Sequence, residues 1–97
     1  MSIQQHNPMH PGVFIKRVYL EPFDISAKEL AYKLQVSESV VSRIVNGKGS
    51  VTPTMALKLS KVIGRSPESW LLMQDNHDLW AARQEVDLSA FKALEFA

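Results

Sequence analysis

Apolar residues recur along this chain at three- and four-residue spacing, in five runs separated by short polar or proline-containing breaks. That period predicts helices. The first run, Phe14, Ile15, Val18 and Tyr19, follows Pro11, which suits a first helical position, and stops at Glu21-Pro22-Phe23-Asp24. Ser26 opens the second, with Glu29 three residues on as in a reciprocal capping box, and Leu30, Ala31 and Leu34 supply its apolar face. Gln35-Val36 makes a tight turn. Ser37 then caps a third helix, in which Val40, Val41, Ile44 and Val45 form the stripe expected to be buried. Asn46-Gly47 ends it, with glycine taking the left-handed backbone. Thr52-Pro53 and Ser66-Pro67 are two copies of one start signal. They open a fourth helix facing Met55, Ala56, Leu59, Val62 and Ile63 inward, and a fifth carrying Trp70, Leu71, Met73, Leu79 and Trp80. Five helices with short connections and no strand signal predict an all-α domain.

The third helix divides its faces in a way that points to a partner. An ordinary solvated helix would carry Lys and Glu pairs at four-residue spacing. Here the side opposite the stripe holds Glu38, Ser39, Ser42, Arg43 and Asn46, mostly short hydrogen-bonding groups of indifferent helix propensity. A polar helix fixed by an apolar stripe and preceded by a capped helix and a tight turn is what reading a DNA major groove requires. Arg43 is the first candidate for a base reader, because a guanidinium bonds guanine O6 and N7 together. Glu38, Ser39 and Ser42 complete the candidate base-reading set, and Glu38 would have to aim at a cytosine amino group or away from phosphate. Ser26, Lys28, Ser37, Asn46 and Lys48 lie where helix starts and the end of the reading helix would meet phosphates. One short helix spans few base pairs, so a homodimer on an inverted repeat is expected, with reading helices about 34–36 Å apart.

Charge sharpens this picture. The net +1 conceals nine Lys/Arg against four Asp/Glu over residues 1–65, a net of +5, and two against six over residues 66–97, a net of −4. The basic part holds the reading helix; the acidic part suits a basic protein partner better than DNA. Ninety-seven residues at 45% apolar and 22% charged composition make one small folded domain. The absence of cysteine, of a signal-peptide pattern and of any long apolar run leads to the expectation of a cytoplasmic protein without disulfides or a membrane span.

Residues 1–9 read as a flexible or loosely docked arm, residues 10–84 as the DNA-binding domain and residues 85–97 as a C-terminal extension. In the extension Leu88, Phe91 and Leu94 recur every three residues, predicting a short helix docked on the core and contributing to a dimer. No enzyme pattern emerges. Asp75, His77 and Asp78, with His6 and His10 upstream, fall short of a metal-ligand set and read as a polar strip. There is no phosphate-cradling glycine loop, no thiol and no nucleophile–base pair, and no cofactor is called for. Trp70 and Trp80 read as core anchors.

His10-Pro11-Gly12, Leu20-Glu21-Pro22, Ser42 to Lys48, Thr52 to Leu57, Ser66-Pro67-Glu68-Ser69-Trp70-Leu71 and Asp78-Leu79-Trp80 occur in an order that is more specific than the helix-turn-helix alone. In these residues, spanning about 10–80, the chain resembles the HigA/VapI branch of phage-repressor-like helix-turn-helix proteins. The resemblance implies a five-helix, lambda-repressor-like domain that dimerises, binds its own operator as double-stranded DNA and neutralises a small ribonuclease toxin. Because such toxins tend to be basic, the acidic Glu68, Asp75 and Asp78 are the expected toxin contacts. A stand-alone phage-type repressor, or a protein-interaction adaptor that keeps the fold without reading DNA, are the alternatives. The chain departs from the branch at Gln35, where glycine is common and a strained backbone would cost roughly 1–2 kcal/mol, at His77, where tyrosine is frequent, and at Glu38.

Overall fold

The computed structural model describes residues 7–96, so His6 and the first six residues of the expected arm lie outside the described residues. Five helices form, and no strand is present among the described residues. Helix α1 (Pro11–Ile15) runs on without interruption as a π-helical turn, Lys16–Leu20. The Glu21 N–H reaches back five residues to the Lys16 carbonyl at 2.9 Å. Pro22 follows, and in a regular α-turn its ring would collide with the carbonyl four residues earlier; the wider turn coincides with that constraint. Then come α2 (Ala27–Leu34), α3 (Glu38–Val45), α4 (Pro53–Val62) and α5 (Pro67–Glu85).

The helix starts follow from local chemistry. The hydroxyls of Ser26, Ser37, Thr52 and Ser66 each accept the backbone N–H three residues ahead, at 3.0–3.3 Å. Such caps are each worth about 1 kcal/mol. One start was not foreseen: the Nδ1 of buried His10 accepts the Gly12 N–H at 2.9 Å and caps α1. The stops are equally local. Asp24, Gln35 and Gly47 adopt φ of 56°, 58° and 76°. In all three the next residue's N–H bonds back five residues, Ile25 to Leu20, Val36 to Ala31 and Lys48 to Arg43, closing a helix-ending turn. Gln35 is therefore strained as its sequence position predicted, at φ 58°, ψ 46°.

Side chains from all five helices build the core, including Ile15, Leu34, Val41, Ile44, Leu59 and Trp70. Trp70 is wholly buried and donates its indole N–H to the Gly64 carbonyl at 2.9 Å. Phe14 and Tyr19 meet its ring edge-on, and the Arg65 guanidinium lies 5.2 Å from the Phe14 ring centre and 5.6 Å from that of Trp70. Helix α1 crosses α3 at Gly12, where no side chain would fit against the Ile44 carbonyl. The buried Gln74 amide ties α5 to the loop before α4. Its Oε1 accepts the Val51 N–H at 2.8 Å and its Nε2 donates to Asp78 at 3.0 Å.

Some expected core positions face outward. Val18, Val40 and Val62 are each about two-fifths exposed and Leu79 is half exposed. Val18 lies in the π-helical turn, whose wider winding shifts its face, whereas the other three sit at the edges of their helices' buried arcs. Trp80 is only half-buried, since α5 runs past the end of the core. The larger correction concerns the C-terminal extension. Val86 to Phe96 is neither helical nor docked: it is exposed throughout, and Phe91, Leu94 and Phe96 are 72–88% accessible. An isolated helix this short is marginal in water, so the three-residue repeat does not make a helix without a surface to pack on. Helix α5 and this segment stretch the molecule to 54 Å against 25 and 24 Å.

Candidate nucleic-acid interface

Helix α3 is clamped on one side and open on the other. Val41, Ile44 and Val45 are buried. At 100° per residue their mean direction lies opposite Ser39, Arg43 and Asn46, all exposed, which form the centre of the outward face. Half-buried Ser42 and exposed Val40 flank that centre on opposite sides. Glu38 is exposed at the helix start, beyond Ser42 and nearly a third of a turn off centre. The outward face thus offers two hydroxyls, an amide, a guanidinium and one apolar edge, the combination that base edges and a thymine methyl accept.

Several of these groups already have partners. The Ser37 hydroxyl, besides capping Val40, lies 3.1 Å from the Ser39 hydroxyl. Arg43 does not pair with Glu38 but donates from a terminal nitrogen to the Lys48 carbonyl at 3.4 Å. That long bond leaves most of the guanidinium's donors facing solvent. Asn46 is exposed and is the last residue before the left-handed Gly47, with φ −96° and ψ 8°.

The start of α2 is close to this face. A cleft is lined by Lys16 and Ala27 on one wall and by Ser42 and Asn46 on the other. Glu21 and Asp24 line the same cleft, and Ser26 and Lys28 are exposed on either side of Ala27 at the start of α2. Lys16 was missed in the sequence, because only the fold carries it from α1 to the reading helix. Val40 was missed because its valine character argued for burial. By contrast Glu68, Asp75 and Asp78 lie on α5, all exposed, and the Asp78 carboxylate is held by Gln74.

On another side, His10 and His77 meet edge to face at 5.1 Å between ring centres. His77 Nδ1 is 3.0 Å from the Pro8 carbonyl, pinning the described part of the arm. Burial holds the His10 imidazole below the usual histidine range, and the neighbouring His77 pushes it the same way. Among the described residues no three His, Asp or Glu side chains converge as metal ligands, and no helix is long and apolar enough to cross a membrane.

With this geometry in hand, a family profile described as helix-turn-helix matches residues 16–70. Antitoxin HigA-1 of Vibrio cholerae is 38% identical over 90 residues, covering 93% of this chain and 85% of that protein. Among solved structures, antitoxin GraA superposes with a TM-score of 0.84 at 30% identity, covering 96% of this chain and all of that one. The Pseudomonas aeruginosa antitoxin HigA, crystallised with the higBA promoter, superposes with a TM-score of 0.74 at 30% identity over 82% of this chain and 96% of that one.

Proposed function

Since the chain belongs to the helix-turn-helix family, among relatives that are HigA-type antitoxins, we propose that it is a DNA-binding antitoxin that represses its own operon. The observation that carries this reading is the outward face of α3, where Ser39, Arg43 and Asn46 stand on a helix locked by Val41, Ile44 and Val45. Arg43 reads a guanine in this scheme, with Ser39, Ser42 and Glu38 contacting neighbouring bases and Val40 resting on a thymine methyl. Phosphates are held by Lys28, Lys48 and Asn46 and by the helix starts at Ser26 and Ser37. A crystallised relative bound to promoter DNA supports the role at the level of the family.

The protein acts as a homodimer on an inverted repeat. Leu72 and Leu79, 51–60% exposed, lie seven residues apart on one side of α5 and offer an apolar seam for a second copy. The toxin is a small basic ribonuclease that meets Glu68, Asp75 and Asp78. Reversing those three carboxylates to lysine is expected to weaken its capture; an unchanged complex would move the contact elsewhere.

The decisive experiment titrates the protein onto duplex DNA from its own promoter and onto a scrambled duplex, across a range of salt. Binding should fall steeply as log salt rises. Arg43→Ala should lose about 1–3 kcal/mol on the promoter and little on the scrambled duplex. Equal losses on both would reduce Arg43 to a phosphate contact, and salt-independent or absent binding would sink the DNA reading in favour of a protein-only adaptor.

A further inference from the structure

The exposed C-terminal segment and a groove beside the start of α5 are matched in chemistry but separated by the length of that helix. The groove, about 350 Å³, lies between α2 and the end of α4, with Tyr19, Leu30, Val62 and Ile63 as its apolar lining and Glu29 and Lys33 on its rim. The segment after α5 carries Phe91, Leu94 and Phe96, all exposed, with Lys92 and Glu95 between them. An apolar trough edged by one carboxylate and one ammonium thus faces apolar anchors interleaved with one ammonium and one carboxylate. Their opposite charges meet when the segment runs in the same sense as α2.

The chain's own segment cannot bring all of its anchors back to the groove. Helix α5 begins four residues after Ile63 and carries the chain away for nineteen residues, about 28 Å. From Glu85, Phe91 can return at most about 20 Å, so in its own chain only a segment drawn taut along α5 would bring Leu94 or Phe96 to the groove, with Phe91 and Lys92 left short of it. A second copy solves the distance. If two α5 helices pack antiparallel along the Leu72 and Leu79 seam, each helix ends beside the start of its partner, next to the partner's Val62 and Ile63.

We propose that the groove between α2 and α4 is the docking site for the Val86–Phe96 segment of a second copy, so that the dimer is clasped by two exchanged tails. This rests on the dimer reading above and adds what covers the apolar extension. The exchange places the tail against α2, the helix that precedes the reading helix, and thereby couples dimerisation to the DNA-binding face.

The chain contains no cysteine, so the test is clean. Val62→Cys and Leu94→Cys variants are prepared separately, mixed in equal amounts, allowed to exchange and oxidised, with sedimentation equilibrium of the unmodified protein alongside. A covalent species at twice the chain mass that forms in the mixture, well beyond either variant alone, is the expected result. Phe91→Ser with Leu94→Ser should raise the dimer dissociation constant about tenfold or more, and Lys33→Glu should weaken the dimer and be rescued by Glu95→Lys. A protein that sediments as a dimer yet gives no such cross-link overturns tail exchange and leaves the dimer reading intact. A cross-link confined within one chain of the Val62→Cys, Leu94→Cys double variant also overturns it. A monomer at every concentration, with or without DNA, removes the dimer reading and the exchange with it.

Discussion

Replacing Gly12 by alanine tests the contact that fixes the reading helix against the rest of the fold. A Cβ built at Gly12 sits 1.7 Å from the Ile44 carbonyl oxygen, 2.4 Å from its carbon and 2.9 Å from the Ile44 Cγ2. Ordinary van der Waals contact begins near 3.4 Å, so α1 and α3 must separate by about 1.7 Å at their crossing in an interior that is otherwise close-packed. Forcing extra atoms into a packed site costs about 1–3 kcal/mol, and a backbone atom, which cannot swing aside, puts Gly12 at the upper end. Alanine returns about 0.4–1 kcal/mol by restricting the unfolded chain. The net loss is therefore about 2 kcal/mol. At about 4–8 °C per kcal/mol for a domain of this size, the melting temperature should fall by roughly 10 °C. Circular dichroism melts of Gly12→Ala and of Gly64→Ala make the comparison. Gly64, unlike Gly12, has a positive φ (+123°) and no atom within 4 Å of its would-be Cβ, so it pays only the backbone term. Promoter affinity, measured well below the transition, should fall further for Gly12→Ala because the displaced helix is the one that carries Arg43. A Gly12→Ala protein melting within about 2 °C of the parent would refute the close crossing of α1 and α3 and the reasoning built on it.

Other perturbations bear on separate links. Gln35→Gly should raise stability by roughly 0.5–1 kcal/mol, because it relieves a left-handed residue but loosens the unfolded chain; Arg65→Gly, at φ 66° but stacked on Phe14 and Trp70, should lower it, and urea titration showing the same sign for both would defeat this account. Gln74→Leu strands the Val51 N–H inside the protein and should cost about 1–3 kcal/mol; a loss below about 0.5 kcal/mol in chemical denaturation would show that the bond to Val51 is not what matters. His10 titrates below its usual 6.5 in the folded state, so the unfolded chain binds the extra proton as pH falls below about 6.5 and stability drops there, becoming full again above it. Thermal melts between pH 7.5 and 5.5 should show that decline in the parent and less of it in His10→Asn, which retains a capping acceptor; matching slopes would clear His10 of the effect.

The sequence alone located all five helices because their signals are short-range. The capping oxygen of Ser26, Ser37, Thr52 or Ser66 bonds a backbone N–H three residues away, and the helix-ending turns at Gln35 and Gly47 close within five. A contact of that span is encoded in adjacent letters and needs no tertiary structure. The same holds for the polar face of α3, since helical geometry assigns Ser39, Arg43 and Asn46 to one side once the helix is granted. What tertiary structure decided involves partners far apart in the chain: Gly12 against Ile44, Gln74 under Val51, His10 against His77, and Lys16 brought to Ser42 and Asn46. No spacing rule links such residues. The exposed tail belongs to the same class. Its Leu88, Phe91 and Leu94 repeat every three residues as a docked helix would, but whether an apolar stripe is buried depends on a surface to pack against, and past the end of α5 these side chains stay exposed.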